Sequence, residues 1–123
     1  MTRPRIIIET VTADEMRPPY NVQGDMMGDW YKAADGVVLI KVSGDIMSRE
    51  GFLFALHELV EWFLCEQRGI SQQSVDAFDA AFNGEGEPGD CPRAPYFSEH
   101  RFAMLIEHLM AHELGMAGYG TVS

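Results

Sequence analysis

Phe52 to Cys65 reads FLFALHELVEWFLC. Apolar residues fill most of this stretch, which predicts a helix packed on more than one side. His57, Glu58 and Glu61 interrupt it as H-E-x-x-E. Charged residues are rarely buried unless they are paired or bound to a metal. At about 100° per residue, His57 and Glu61 lie about 40° apart on one helix face. That spacing lets two side chains reach one ion, as the two histidines of H-E-x-x-H do in zinc peptidases. Here a carboxylate takes the second ligand position, and Glu58 stands where those enzymes place a general base. The bland alternative is a helix with a solvated acidic edge.

The flanks set the bounds of this helix. Ser48 predicts its cap, with Glu50 in the first turn. The helix runs to about Arg68, where Gly69 fits the left-handed stop and Ile70 the hydrophobic contact behind it. Upstream, Arg5 to Thr12 (RIIIETVT) predicts a strand buried on both faces for part of its length. A loop with three methionines follows over 14–27. Asp29 to Ala33 and Val37 to Ser43 predict a hairpin around Asp35-Gly36, with Val38, Ile40 and Val42 on one face.

Downstream, Ser71 or Ser74 opens a second helix through Phe82. Its Asp76 and Asp79 are spaced to share one ion or one cation, although for Asp76 the helix dipole is sufficient reason. Asn83 to Pro95 is an acidic Gly/Pro loop. Ser98 predicts the cap of a last helix, SEHRFAMLIEHLMAHELG, ending at Gly115, with Phe102, Leu105, Ile106 and Leu109 as its main apolar stripe. The class is α+β: a small, mostly antiparallel sheet of about three strands, then three helices. One domain is expected over 1–123, with the sheet in 1–47, the helices in 48–116, and a fraying tail in 117–123.

The last helix holds His100, His108 and His112. His100 and Glu107 share a face about 20° apart, together with Ala103, Met104, Ala111 and Leu114. His108 and His112 also have ligand spacing, but their flanks suggest a solvated edge. The economical assembly is therefore His57 and Glu61 from one helix with His100 from the other. This is a His₂Glu set of the kind found in catalytic zinc sites. Glu107 would be a fourth ligand or a group supporting one. Zinc fits best, and iron or manganese accept the same donors. Without a metal, the same residues would form a buried hydrogen-bonded network.

Composition narrows the partners. The net charge of -10 argues against direct nucleic-acid binding and suits a cation or a basic protein surface. A non-catalytic acidic inhibitor, such as a nucleic-acid mimic, is the competing reading. The two cysteines make no disulfide framework, and no apolar run reaches transmembrane length. The chain reads as cytoplasmic, with substrate unidentified. Two Trp, seven Phe and eight Met leave room for a homodimer face, though no heptad specifies one.

Three segments carry a resemblance: HELVEWFL, GISQQSVDAFDAAF, and EPGDCPRAPYFSEHRFAMLIEHLMAHELG. They resemble a group of small phage and prophage proteins without known activity. The resemblance covers about Gly28 to Gly115, and P-R-A-P-Y-x-x-E-H is its most specific part. It implies a setting in the bacterial host cytoplasm and points to His57, Glu61, Asp76, Asp79, His100 and Glu107. The order of sheet followed by H-E-x-x helix is also similar to the zinc-peptidase (zincin) core, from which Glu61 departs at the final His position.

Overall fold

The computed structural model of the chain describes residues 3–119. Strands Ile6–Thr10 (β1), Gly28–Lys32 (β2) and Val38–Val42 (β3) form one sheet in the order β1-β3-β2. Helices Arg49–Gln67 (α1), Gln72–Ala81 (α2) and Phe97–Glu113 (α3) follow, with short 3₁₀ turns at Ala13–Glu15 and Pro88–Asp90. The α+β class read from the sequence holds.

The hairpin forms as its turn residues require. β2 and β3 pair antiparallel, with Trp30 opposite Ile40, and Ala33 N–H donates to Val37 O at 2.8 Å across the turn. β1 departs from the expected, mostly antiparallel pattern. It docks on the free edge of β3 and runs parallel to it, Ile8 opposite Ile40. Residues 11–27 and β2 together form the crossover that returns the chain in the same direction. β1 is also an edge strand rather than a doubly buried one, because α1 packs on β2 and β3. Ile6 and Ile8 remain 46% and 39% exposed.

Val38, Ile40 and Val42 turn to the helices and are buried with Trp30, Ala55 and Cys65. Ser48 caps α1, accepting from Gly51 N–H at 3.0 Å. Gly69, at φ +70°, closes the helix, with Ile70 N–H donating to Cys65 O at 2.9 Å and Gly69 N–H to Glu66 O at 3.4 Å. That pair of bonds is the helix stop expected from Gly69-Ile70. Ser71, not Ser74, caps α2. α3 begins two residues earlier than Ser98 predicted: its cap is Tyr96, whose carbonyl accepts from His100 N–H at 2.8 Å.

α3 runs antiparallel to α1, tied by Arg68 to Glu99 at 2.7 Å and by Arg49 to the Leu114 carbonyl at 3.4 Å. Its rotation differs from the sequence reading. Ala103 and Ala111 face α1, while Phe102, Leu105 and Leu109 of the expected stripe are exposed. The small alanines allow close approach, and the polar bonds between α1 and α3 set the angle about the helix axis. Among the described residues no helix is long and apolar enough to cross a membrane.

The start of α1 is sterically tight. A Cβ at Gly51 would stand 1.9 Å from the Asp45 carbonyl oxygen. Gly51→Ala is therefore expected to destabilise the protein by about 1–3 kcal/mol through overpacking, although Ala is the better helix former. Ser48→Ala should cost about 1 kcal/mol through the lost cap. Urea unfolding midpoints measure both.

Candidate metal centre

Three side-chain atoms converge between α1 and α3. His57 Nε2 lies 3.2 Å from Glu61 Oε2 and 3.2 Å from His100 Nδ1, and His100 Nδ1 lies 2.9 Å from Glu61 Oε2. All three residues are buried. One ion held at about 2.0–2.1 Å by each ligand sets neighbouring ligand atoms about 3.0 Å apart in octahedral and about 3.4 Å in tetrahedral directions. The observed triangle has the size of one coordination face. Two of its corners are i and i+4 on α1, as the H-E-x-x-E spacing predicted, and the third comes from the first turn of α3.

The outer atoms of all three residues are held as well. His57 Nδ1 is 2.8 Å from Glu107 Oε1, and His100 Nε2 is 3.1 Å from Asp90 Oδ1 and 3.2 Å from Glu87 Oε2. A carboxylate only accepts, so the outer N–H of each ring must donate. In the neutral tautomer this aims both remaining lone pairs at the point they share with Glu61. Glu61 Oε1 accepts from Trp30 Nε1–H at 2.9 Å, which leaves Oε2 for the same point. Such outer partners orient metal ligands and fix their tautomers.

The electrostatics are strong. Burial works to lower the pKa of His57, but hydrogen bonds to Glu107 and Glu61 outweigh it and lift the value to about 11. In His100 burial is likewise outweighed by Glu61 and Glu87, giving about 10. Burial alone would raise Glu61, and the bonds from His100 and His57 bring it down to about 2. With no ion, the inner nitrogens of two rings with centroids 4.7 Å apart share a single oxygen acceptor, Glu61 Oε2. A cation accepted by all three atoms removes that crowding.

Glu107 sits behind His57, on the nitrogen facing away from the triangle. It orients the ring from there, and is itself held by Tyr119, whose hydroxyl donates to Oε2 at 2.6 Å. The tail therefore packs rather than frays as far as Tyr119; the rest of the expected fraying segment, 120–123, lies outside the described residues.

Glu58 lines the same cavity as the triangle, and among the described residues no hydrogen bond reaches its carboxyl. Burial and then the charge of Glu61 hold its pKa well above the carboxylate range. Space for it comes from Gly28, where a Cβ would stand 2.9 Å from Glu58 Cγ. Gly89 does the same for His100: a Cβ there would stand 2.5 Å from the ring.

The cavity has a volume of about 430 Å³, with Met26, Met27, Phe54 and Met104 on its apolar walls. Asp76 and Asp79 line it but do not act as a pair. Asp76 accepts from Arg17 at 3.0 Å, which also holds Asp29 at 2.8 Å, while Asp79 accepts from the hydroxyls of Tyr20 and Tyr96. His108 lines the cavity beside Tyr119, and His112 is exposed, so their i, i+4 spacing builds no shared site.

Trp30, Glu87, Gly89 and Tyr119 were not singled out as site residues by the sequence. Of these, only Glu87 and Gly89 fall within a segment that carries the resemblance, E-P-G-D. Their roles come from contacts across the fold.

His57 is the shared partner of two carboxylates, Glu61 and Glu107. His57→Ala should remove the shared partner, leaving Glu61 with His100 and Trp30 and Glu107 with Tyr119, and destabilise the metal-free protein by about 3 kcal/mol, read from urea unfolding.

Neither a family model, nor a curated protein, nor a solved structure matches this chain.

Proposed function

We propose that this chain is a metal-binding protein that holds one zinc ion through His57, Glu61 and His100 and uses it in hydrolysis. The observation that carries the reading is the convergence of three inner atoms whose outer atoms are all held by hydrogen bonds. A network built only for structure has no need to aim two imidazole nitrogens at each other. Two imidazoles and one carboxylate suit zinc, and iron or manganese would take the same donors. On this reading the chain belongs with the small phage and prophage proteins it resembles and works in a host cytoplasm.

The ion would supply Lewis acidity at the wall of the cavity. Glu58 would be the proton acceptor within that cavity once the positive charge of a bound ion favours its carboxylate form, and among the described residues no hydrogen bond ties it down. The volume of about 430 Å³ is in the range of small-molecule and short-peptide sites. Glu107 and Asp90 keep the outer ring protons in place, so both inner nitrogens stay available.

A second reading is a non-catalytic acidic binder. Its support is the pair of exposed carboxylates at the cavity mouth, Glu87 and Asp90, in a chain of net charge -10. Here the metal would hold the fold together and the acidic rim would meet a basic partner.

Elemental mass spectrometry of the purified, untagged protein is expected to find about one ion per chain, retained by Trp30→Phe at affinity lowered about 10–100-fold and lost from His100→Ala. A protein that stays metal-free after reconstitution with zinc, iron and manganese overturns the proposal. Glu58→Gln should keep the ion. For a hydrolase it should lower the rate by about 10²–10⁴, whereas an acidic binder would lose little.

A further inference from the structure

Asp79 is a buried carboxylate on the cavity wall with no cation beside it. It is 6% exposed, and its two oxygens accept from the hydroxyls of Tyr20 and Tyr96. Asp76, three residues earlier on α2, is held differently. It shares the Arg17 guanidinium with Asp29, so one positive charge serves that pair. The tyrosines satisfy the lone pairs of Asp79 but bring no charge. An ionised carboxylate out of water calls for a paired cation. Among the described residues no Lys, Arg or His forms an ion pair with Asp79. Burial raises its pKa, and the two tyrosine bonds work against that rise. A cation arriving beside it would favour the ionised form further.

The wall around Asp79 accepts hydrogen bonds and has none left to give. Each tyrosine hydroxyl has one proton, and both protons go to Asp79. Burial, and then the bond to Asp79, holds both tyrosines above their ordinary pKa, so they remain hydroxyls. Only their lone pairs are left to face a ligand. Trp30 has given its indole proton to Glu61. Among the described residues no lysine or arginine lines the cavity. At the metal end, the rings of His57 and His100 already have carboxylates on both sides. A phosphate or carboxylate would thus find no free side-chain donor near Asp79, whereas an ammonium brings three N–H groups and the missing charge. Tyr96 stands one turn before His100 on α3, with ring centroids 6.2 Å apart, so the Asp79 group and the metal ligands share a wall. Met26, Met27, Phe54 and Met104 offer apolar walls to an unbranched chain, to which methionines adapt readily.

We infer that the substrate of this cavity carries a primary ammonium group on a short aliphatic chain, and that Asp79 with Tyr20 and Tyr96 is the seat of that group. The inference rests on the reading of this cavity as the substrate site, but not on the identity of the ion.

Calorimetric titration of the purified, full-length protein tests it with three probes. Norleucine amide carries an α-ammonium, Nα-acetyl-lysine amide a side-chain ammonium, and acetyl-norleucine amide neither. At least one ammonium probe should bind about tenfold or more tightly than the neutral one, and the better of the two tells an amino terminus from a lysine side chain. Asp79→Asn should abolish the preference at unchanged circular dichroism and metal content. In the native protein, which needs no variant to fold, the ring NMR signals of Tyr20 and Tyr96 should shift with the ammonium probe and not with the neutral one. Equal binding of charged and neutral probes overturns the inference. So does the absence of binding up to about 10 mM, a preference that survives in Asp79→Asn, or ring signals that stay still. Metal content of the same samples separates the two readings. A metal-free protein that prefers ammonium supports this inference and overturns the zinc site, and a metal-loaded protein without the preference overturns this inference alone.

Discussion

The buried carboxylate of Glu61 is the group on which the rest of this structure depends. It lies on α1, takes the Trp30 indole N–H from β2 on one oxygen, and meets His57 and His100 on the other. An ionised carboxylate out of water is costly unless each lone pair has a partner. Here the partners come from three different elements. Sheet, central helix and last helix must therefore meet at one place and one angle. The same bonds that hold the layers in register also shape a coordination face. Stability and chemistry are coupled in this site, and disturbing one ligand disturbs the packing.

Close approach is the second condition. Gly28 leaves room for the Glu58 side chain and Gly89 for the His100 ring. Ala103 and Ala111 let α3 lie close to α1. Polar side chains between helices must be near enough for bonds of about 3 Å, and large apolar residues at those positions would hold the helices apart. The consequence appears on the far side: the bulky residues of α3 have no place in the core and form a bare face. One rotation of one helix thus accounts for both the candidate metal centre and the exposed apolar face of α3.

Much was legible from local pattern. Ser48, Gly69 and Ile70 bound α1 because caps and left-handed stops are made by residues adjacent in sequence. Val38, Ile40 and Val42 could be assigned to one face because strand alternation is local. The same holds for His57 and Glu61, whose i, i+4 spacing sets their angle about a single helix axis, and His100 could be added from its place on a second apolar helix.

Contacts between distant segments were beyond the reach of such patterns. Periodicity gives the angle between residues of one helix but not the direction in which that helix faces its neighbour. Phe102, Leu105 and Leu109 were therefore read as core, and Glu107 as a ligand or its support without a choice between the two. The pairing of β1 depended on which edge of the hairpin was free, and its isoleucines on where α1 stopped covering the sheet. Trp30, Glu87 and Tyr119 reach the site from a strand, a loop and the tail. Thus the residue types able to hold an ion were written in the sequence, since spacing along one helix is a local property. Their convergence on one point, and the bare face behind them, required the packing of α3 on α1, where bonds between residues some forty positions apart set the geometry.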